Sequence, residues 1–276
     1  MGRPLESICL INPRRDVWSR TERITAALRE SAEHLKAWYS PSLSLLTIAG
    51  LTPADVRIDL LHEDFAPIDY DAGYDLVGIT AMTQTALRAY EIADEFRSRG
   101  THIVIGGIHA TALPEEAARH ADTVIAGEAE ELWPRFIEDF RLGRAERIYR
   151  SPPGTCVDLA RSPIPRYDLL RDRPCLMDPK RYYNFVLIQV SRGCPHDCEF
   201  CLVTAAYGRK PRLKSMEQVR AEVLAIKRAV PNRLVLFADD NLAIDRRFAK
   251  ELFRELAALQ VRWIGQSDIA IGADDE

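Results

Sequence analysis

The first part of the chain alternates between short β-branched runs and segments in which apolar residues recur at helical spacing. Ala89, Ala93 and Phe96, for example, share one face of a helical pattern. We predict from this alternation a doubly wound, Rossmann-like parallel α/β sheet with helices on both faces. The predicted strands are residues 7–11, 56–60, 76–80, 102–105 and 123–126. The predicted helices are residues 43–50, 85–99, 114–119 and 130–141.

The alternation lapses over the proline-rich residues 151–183 and then resumes. Proline interrupts helices and central strands, so this segment is predicted to be an ordered linker between a domain of residues 1–150 and one of residues 184–276. Three parallel strands with two crossover helices do not close a barrel. We therefore expect the second domain to be either a small open sheet or a barrel that this sequence leaves incomplete. Its predicted elements are strands 185–190, 233–238 and 261–265, and helices 215–230 and 246–259.

Composition narrows the class of protein. With 47% hydrophobic and 28% charged residues, the chain is typical of a globular protein. It lacks an apolar run of roughly 20 residues, and its first residues do not resemble a signal peptide, so we predict a cytoplasmic protein without a membrane span. A net charge of −4 gives no reason to expect a nucleic-acid partner. The basic run GRKPRLK at residues 208–214 is predicted to be a solvated loop.

Three cysteines lie close together in SRGCPHDCEFC, directly after an apolar run. Cys194, Cys198 and Cys201 have the spacing CxxxCxxC. In a cytosolic protein, clustered thiols are typical of metal ligands rather than disulfides. Three thiolates suit a cubic four-iron four-sulfur cluster and leave its fourth iron open. The alternative is a zinc site with His196 or a distant residue as fourth ligand, although the chain has no second CxxC pair.

This motif resembles the signature of radical S-adenosylmethionine enzymes, CxxxCxΦC, in which Phe200 occupies the aromatic position. That family carries the motif after the first strand of a partial (β/α) barrel. The resemblance implies that the three cysteines bind the cluster, that the open iron chelates S-adenosylmethionine, and that Phe200 lies against the adenine. It also implies formation of a 5′-deoxyadenosyl radical and an electron donor such as flavodoxin or ferredoxin.

An acidic run, LFADDNLAID, follows the next predicted strand. The carboxyl ends of parallel strands are where such sheets bind ligands, so Asp239, Asp240 and Asn241 are candidates to face S-adenosylmethionine or the substrate. The alternative is that Asp239 and Asp240 are turn residues and that Asp245 caps the following helix.

Three strand ends in the first domain also have an unusual composition: TAMTQT, GGIHAT and GEAE. In a doubly wound sheet they would converge on one rim, where glycines allow a large ligand to approach the backbone. Together with SPSLSLLTIAG, they resemble the cobalamin-binding domain that precedes the radical domain in one branch of this family, over roughly residues 5–145. The resemblance implies cobalamin-binding residues on the three strand ends, namely Thr80, Met82, Thr83 and Thr85, then Gly106, Gly107 and His109, then Gly127, Glu128 and Glu130.

Two departures from related domains qualify the cobalamin site. Ala129 stands where many relatives have glycine. The DxHxxG motif that supplies a cobalt-ligating histidine elsewhere is absent, so the resemblance implies cobalamin bound without histidine ligation.

The sequence thus predicts a cobalamin-dependent radical S-adenosylmethionine enzyme that methylates an unactivated carbon of a small molecule. A ring-forming or oxidising enzyme of the same family is an alternative. A truncated, inactive cobalamin- and cluster-binding fragment is another, because the family's remaining barrel strands would lie beyond Glu276. A zinc-stabilised Rossmann-like binding module is a third.

Overall fold

The first unit of the chain is built on a six-stranded sheet. A computed structural model describes residues 4–14, 40–152, 154–171, 185–196 and 198–273, and the chain divides into two compact units with the main boundary between Val157 and Asp158. All neighbouring strands of the first sheet are parallel, in the order β2-β1-β3-β4-β5-β6. The strands are β1 Ser7–Asn12, β2 Arg57–His62, β3 Leu76–Thr80, β4 His102–Gly106, β5 Thr123–Ala126 and β6 Ile148–Arg150.

Helices cover both faces of this sheet. On one face, Ile11 and Val77 belong to a buried apolar cluster with Ala89 and Phe96 of α2. Side chains alternate across a strand, so Gly78 faces the other side, where a methyl group on it would lie 3.8 Å from the Trp133 ring of α5. The predicted doubly wound class is confirmed. The helices are α1 Leu43–Leu51, α2 Ala86–Ser98, α3 Ile108–Ala112, α4 Pro114–Ala117 and α5 Ala129–Arg141.

The second unit contains a three-stranded parallel sheet, as predicted, in the order β11-β10-β7. Strands β8 and β9 form a separate antiparallel pair. Asp245 caps α8 by accepting a hydrogen bond from Phe248 N at 2.9 Å, which confirms the capping role considered for it. The elements are β7 Phe185–Ile188, β8 Ser191–Arg192, α6 Val203–Tyr207, β9 Arg212–Leu213, α7 Met216–Ala229, β10 Leu234–Phe237, α8 Arg246–Ala258 and β11 Trp263–Ile264.

The structure corrects one sequence-based expectation and adds several short elements. The basic run at 208–214 is not wholly solvated, because Lys214 is buried and forms an ion pair. Strand β6, the β8–β9 pair and helices α3 and α6 were not predicted. In the proline-rich segment, two 3₁₀ turns, Leu159–Arg161 and Tyr167–Leu170, precede residues 172–184, which lie outside the described residues.

Candidate cofactor sites

The three unusual strand ends of the first unit lie side by side. Strands β3, β4 and β5 are parallel neighbours, so the segments that follow Thr80, Gly106 and Ala126 meet at one rim of the sheet. The chain moves outward from β1 to β2 and then returns to place β3 on the other side of β1. Open α/β sheets bind ligands beside such a reversal, at the carboxyl ends of the strands.

The segment after β3 combines accessible and enclosed side chains. Met82 and Thr83 are exposed, and Thr80 Oγ1 lies 3.4 Å from Ser44 Oγ. Thr85 is buried; its hydroxyl accepts a hydrogen bond from Met82 N and donates one to Met82 O. Thr85 therefore closes the turn, while Met82 and Thr83 present the surface that a ligand would meet.

The segment after β4 requires a glycine. Gly107 has φ +98°, and a Cβ atom there would lie 2.7 Å from Ala81 O and 2.9 Å from Ala81 N. The approach is held by hydrogen bonds from Ala81 N to Gly106 O (2.8 Å) and from His109 N to Ala81 O (3.1 Å). Absence of a side chain at Gly107 lets two strand ends meet, forming a backbone rim that suits a large flat ligand.

His109 is directed into the protein. Its ring nitrogens lie 3.4 Å from Thr83 Oγ1 and 3.3 Å from Glu116 Oε1, and the residue is 7% exposed. Tyr90 donates a hydrogen bond to the same carboxylate oxygen at 3.1 Å. The hydrogen bonds from His109 and Tyr90 lower the pKa of Glu116. This arrangement gives His109 two protein partners, Thr83 and Glu116, and cobalamin binding without histidine ligation stays a prediction.

The residues after β5 also have protein partners. Gly127 adopts φ +125° and donates its N–H to Thr111 Oγ1 at 3.0 Å. A carboxylate oxygen of Glu128 accepts from Val157 N at 3.1 Å. Glu130 is buried. Glu128 therefore holds the end of the first unit's chain in place.

In the second unit, residues 191–213 leave the sheet after β7 and return through β9; we call them the cysteine loop. Cys194 and Cys201 are partly buried, Cys198 is exposed, and none of the three is in a disulfide. Cys194 N donates to Gly208 O, and Cys201 N donates to Cys198 O. Within the described residues, no group of three or more His, Cys, Asp or Glu side chains is arranged to hold a metal ion, so the three cluster ligands stay a prediction.

The donor set nevertheless suits an iron–sulfur cluster. Three thiols in one short loop supply three of the thiolates that such clusters use. Phe200, beside Cys201, is 92% exposed, so its ring is available to a ligand. His196, considered as a zinc ligand, lies 3.4 Å from an Asp268 oxygen through Nε2.

The acidic run after β10 divides between two environments. Asp239 is fully buried; its carboxylate accepts hydrogen bonds from the N–H groups of Val190 and Ser191 and from the Ser191 hydroxyl. Burial raises the pKa of Asp239 to about 6, against the opposing effect of these bonds. Asp240 is exposed and is therefore the acidic side chain available to a ligand, although partial desolvation raises its pKa too.

Sequence reasoning missed a buried ion pair close to Asp239. Lys214 and Glu222 form an ion pair with side-chain exposures of 5% and 1%. Burial raises the pKa of Glu222 although Lys214 opposes the shift. Asn241, which the sequence did single out, is also buried and donates to an Asp268 oxygen at 2.6 Å. Nothing in the sequence indicates that a lysine at the end of a basic run or a glutamate inside a helix is buried. The ion pair is recognised only from the structure, where the two side chains meet.

Comparison with known proteins agrees with both halves of this architecture. A family model described as the B12 binding domain matches residues 43–137. The bacteriochlorophyllide d C-8(2)-methyltransferase of Chlorobaculum tepidum is 34% identical over an alignment of 236 residues that covers 79% of this chain and 49% of that protein. The bacteriochlorophyllide d C-12(1)-methyltransferase of the same organism is 31% identical over an alignment of 229 residues that covers 81% of this chain and 49% of that protein.

Solved structures share the fold. The radical S-adenosylmethionine methyltransferase TsrM from Kitasatospora setae gives a TM-score of 0.66 at 15% identity over 92% of this chain and 51% of that one. The cobalamin-dependent S-adenosylmethionine radical enzyme OxsB gives 0.66 at 15% identity over 94% of this chain and 38% of that one.

The chain thus carries a B12 binding domain at residues 43–137, is similar in sequence to methyltransferases, and shares the fold of TsrM and OxsB. It spans about half the length of the two Chlorobaculum tepidum methyltransferases. No helix in the described parts of the chain has the length and apolar character needed to cross a membrane.

Proposed function

We propose that this chain provides the cobalamin site and the four-iron four-sulfur cluster site of a radical S-adenosylmethionine methyltransferase, which acts on an unactivated carbon of a small molecule. One observation carries the proposal. The CxxxCxxC loop follows the carboxyl end of β7, beside the acidic end of β10, in a chain whose other unit matches the B12 binding domain. Each feature alone also occurs in unrelated proteins, but their combination in this order is typical of the family.

In the second unit, we assign Cys194, Cys198 and Cys201 as cluster ligands through their thiolates. The exposed Phe200 ring offers an apolar face to the adenine of S-adenosylmethionine, and the exposed Asp240 offers a carboxylate at the neighbouring strand end. When bound, the reduced cluster would supply the electron that splits S-adenosylmethionine into methionine and a 5′-deoxyadenosyl radical, and cobalamin would supply the methyl group.

In the first unit, we propose that cobalamin lies along the rim formed by the ends of β3, β4 and β5. Met82 and Thr83 are the accessible side chains there, and the glycine backbone at Gly107 allows close approach. His109 would support the rim through Thr83 rather than bind cobalt. Thr80, Thr85, Gly106, Gly127, Glu128 and Glu130 would shape the rim around these contacts.

Methyl transfer is favoured over ring formation or oxidation because the relatives at 34% and 31% identity are named methyltransferases. The substrate is proposed only as a small molecule, and bacteriochlorophyllide d is a reasonable first compound to test. Reduction of the cluster requires an electron donor, for which we propose a flavodoxin or ferredoxin. Thiolate ligands that must stay reduced favour a cytoplasmic location.

Anaerobic reconstitution tests this proposal. The chain should take up about four irons and about four sulfides, together with one cobalamin per chain, and should cleave S-adenosylmethionine to methionine and 5′-deoxyadenosine when reduced. One zinc with no iron would instead support the zinc module. Binding of both cofactors without cleavage, at any reductant strength, would support the inactive fragment.

A further inference from the structure

The cysteine loop leaves and re-enters the second unit at one point. Lys214 N, just after the loop, donates to Val190 O, just before it, at 2.9 Å. The first and last residues then pair as antiparallel strands, Ser191 with Leu213 and Arg192 with Arg212. The three cysteines therefore sit on an excursion whose two ends are joined, so the position of those ends determines where the cysteines lie.

A buried carboxylate holds the outgoing end. Asp239 accepts from Val190 N at 3.1 Å and from Ser191 Oγ at 2.6 Å, and also accepts from Ser191 N. Its exposed fraction is 0%. A buried carboxylate that retains its charge must be satisfied by such donors, and charge-assisted hydrogen bonds are the stronger and more directional kind.

A second buried charge lies at the returning end. The Lys214 ammonium pairs with Glu222 on α7, and both residues are buried. The ammonium also acts electrostatically on Asp239, opposing the rise in its pKa. Both ends of the cysteine loop are thus fixed by buried charged groups, Asp239 just after β10 and Glu222 on α7.

We propose that Asp239 is a positioning residue that sets the origin of the cysteine loop relative to the end of β10. The functional consequence of this inference rests on the proposed function: if the loop binds the cluster, Asp239 determines that the cluster lies beside Asp240. Asp239 acts through Ser191 and the adjoining backbone, since its enclosed carboxylate is occupied by those groups. These hydrogen bonds give Asp239 a role different from that of the exposed Asp240. The effect of Asp239 on the cysteine loop can be measured with or without a bound cluster.

Backbone hydrogen exchange of the full chain, measured by mass spectrometry, tests the proposal directly. Asp239→Asn places an amide N–H₂ group against backbone donors, so exchange within residues 190–213 should become about tenfold faster or more. Exchange in α7 should change far less. Asp75→Asn is the matched control, because Asp75 accepts from the same kinds of donors in the first unit; it should leave residues 190–213 unchanged.

For Asp239→Asn, two exchange results would overturn the proposal: unchanged exchange in residues 190–213, or equal acceleration throughout the second unit, which would make Asp239 a general structural residue. If Asp239→Asn fails to fold, Ser191→Ala decides the matter. It removes only the hydroxyl donor, so a local acceleration of several-fold in residues 190–213 supports the proposal, and an unchanged rate contradicts it.

The same variants, after cluster reconstitution, connect the inference to function. Asp239→Asn should alter the electron paramagnetic resonance change that S-adenosylmethionine produces on the reduced cluster, whereas Asp75→Asn should preserve it. If the unaltered chain takes up no iron, the proposed function fails while hydrogen exchange still decides the role of Asp239. If the cluster signals of Asp239→Asn and the unaltered chain are identical, the positioning role fails and the cluster assignment stands.

Discussion

Two aspartates, one in each unit, accept hydrogen bonds from the same kinds of donors. Asp75 lies where strands of the first sheet begin, and Asp239 lies where strands of the second sheet end. Asp75 precedes β3 and accepts from Glu6 N (2.9 Å), Ser7 N (2.8 Å) and Ser7 Oγ (3.0 Å). It thereby joins the beginning of β1 to the beginning of β3, which are neighbours in the sheet. Ligands bind at the other ends of such strands, so this arrangement serves the assembly of the sheet alone.

Asp239 also accepts from two consecutive backbone N–H groups and a serine hydroxyl, but it follows β10 and holds the chain after β7. It is fully buried, whereas Asp75 is partly exposed. One arrangement thus closes the start of a sheet and the other holds a loop at the ligand-binding end. The two aspartates make the same kinds of hydrogen bond. Their different roles follow from the end of the strands at which each one lies.

Cys198→Ala is expected to have the largest effect, and to affect cofactor binding in the second unit only. Loss of one of three thiolate ligands should abolish the charge-transfer absorbance of the reconstituted cluster and reduce bound iron nearly to zero. Cobalamin binding by the first unit should persist, measured by the absorbance of the bound corrin. Cys156→Ala, a change at an exposed cysteine outside the motif, should retain both. Joint loss of cluster and cobalamin in Cys198→Ala would show that the two sites are interdependent.

The next largest effect is expected at the buried ion pair of the second unit. Lys214→Ala leaves the Glu222 carboxylate buried without its cation, which costs about 3–5 kcal/mol of unfolding free energy. The double variant Lys214→Met, Glu222→Leu removes both charges and should recover most of that loss. Chemical denaturation followed by a probe in the second unit measures both. Equal stability of Lys214→Ala and the unaltered chain would contradict a buried, charged pair.

Asp239 should also make the stability of the second unit depend on pH. Burial raises the pKa of Asp239 to about 6 from an ordinary 3.8, so the folded state binds this proton more tightly than the unfolded state. The resulting stabilisation is complete below about pH 4 and is lost as pH rises to about 6. Its size is on the order of 3 kcal/mol at most.

This pH dependence is best measured as a difference in stability between the unaltered chain and Asp239→Asn. The stability advantage of the unaltered chain should shrink between about pH 4 and about pH 6 and then stay constant. The raised pKa of Glu222 acts in the same direction, and because the Asp239 charge contributes to that rise, part of the measured difference comes through Glu222. A difference that is flat across this range would show that Asp239 titrates near its ordinary pKa.

Much of the fold was accessible from sequence because apolar periodicity reflects burial directly. Strands β3 and β5 have the bounds that the pattern predicts, and α8 differs by one residue at its end. Short elements were not predicted because a hydrophobic periodicity cannot be recognised in so few residues. The pair β8–β9 has two residues in each strand and depends on contacts across the cysteine loop.

The candidate sites divide in the same way. The cysteines can be proposed as cluster ligands from their spacing alone, whereas the role of Asp239 depends on donors 48 and 49 residues earlier in the chain. Sequence reasoning grouped Asp239 with Asp240 because they are adjacent. Both residues lie beyond the end of β10, outside the regular alternation of a strand, so the structure was needed to show that Asp239 is enclosed and Asp240 exposed.

The smallest expected effect compares two adjacent glycines at the cobalamin rim. Gly107→Ala should lower the free energy of unfolding by about 1–3 kcal/mol, because it strains a backbone at φ +98° and places a methyl group 2.7 Å from Ala81 O. Gly106→Ala should be nearly neutral, since its added methyl group would lie 3.7 Å from Ile125 O, an ordinary contact distance. Thermal unfolding with and without cobalamin measures each variant. If Gly107→Ala binds cobalamin as tightly as Gly106→Ala, the close approach of β3 and β4 shapes only the sheet, as the Asp75 bonds do, and the cobalamin contact lies elsewhere on the rim.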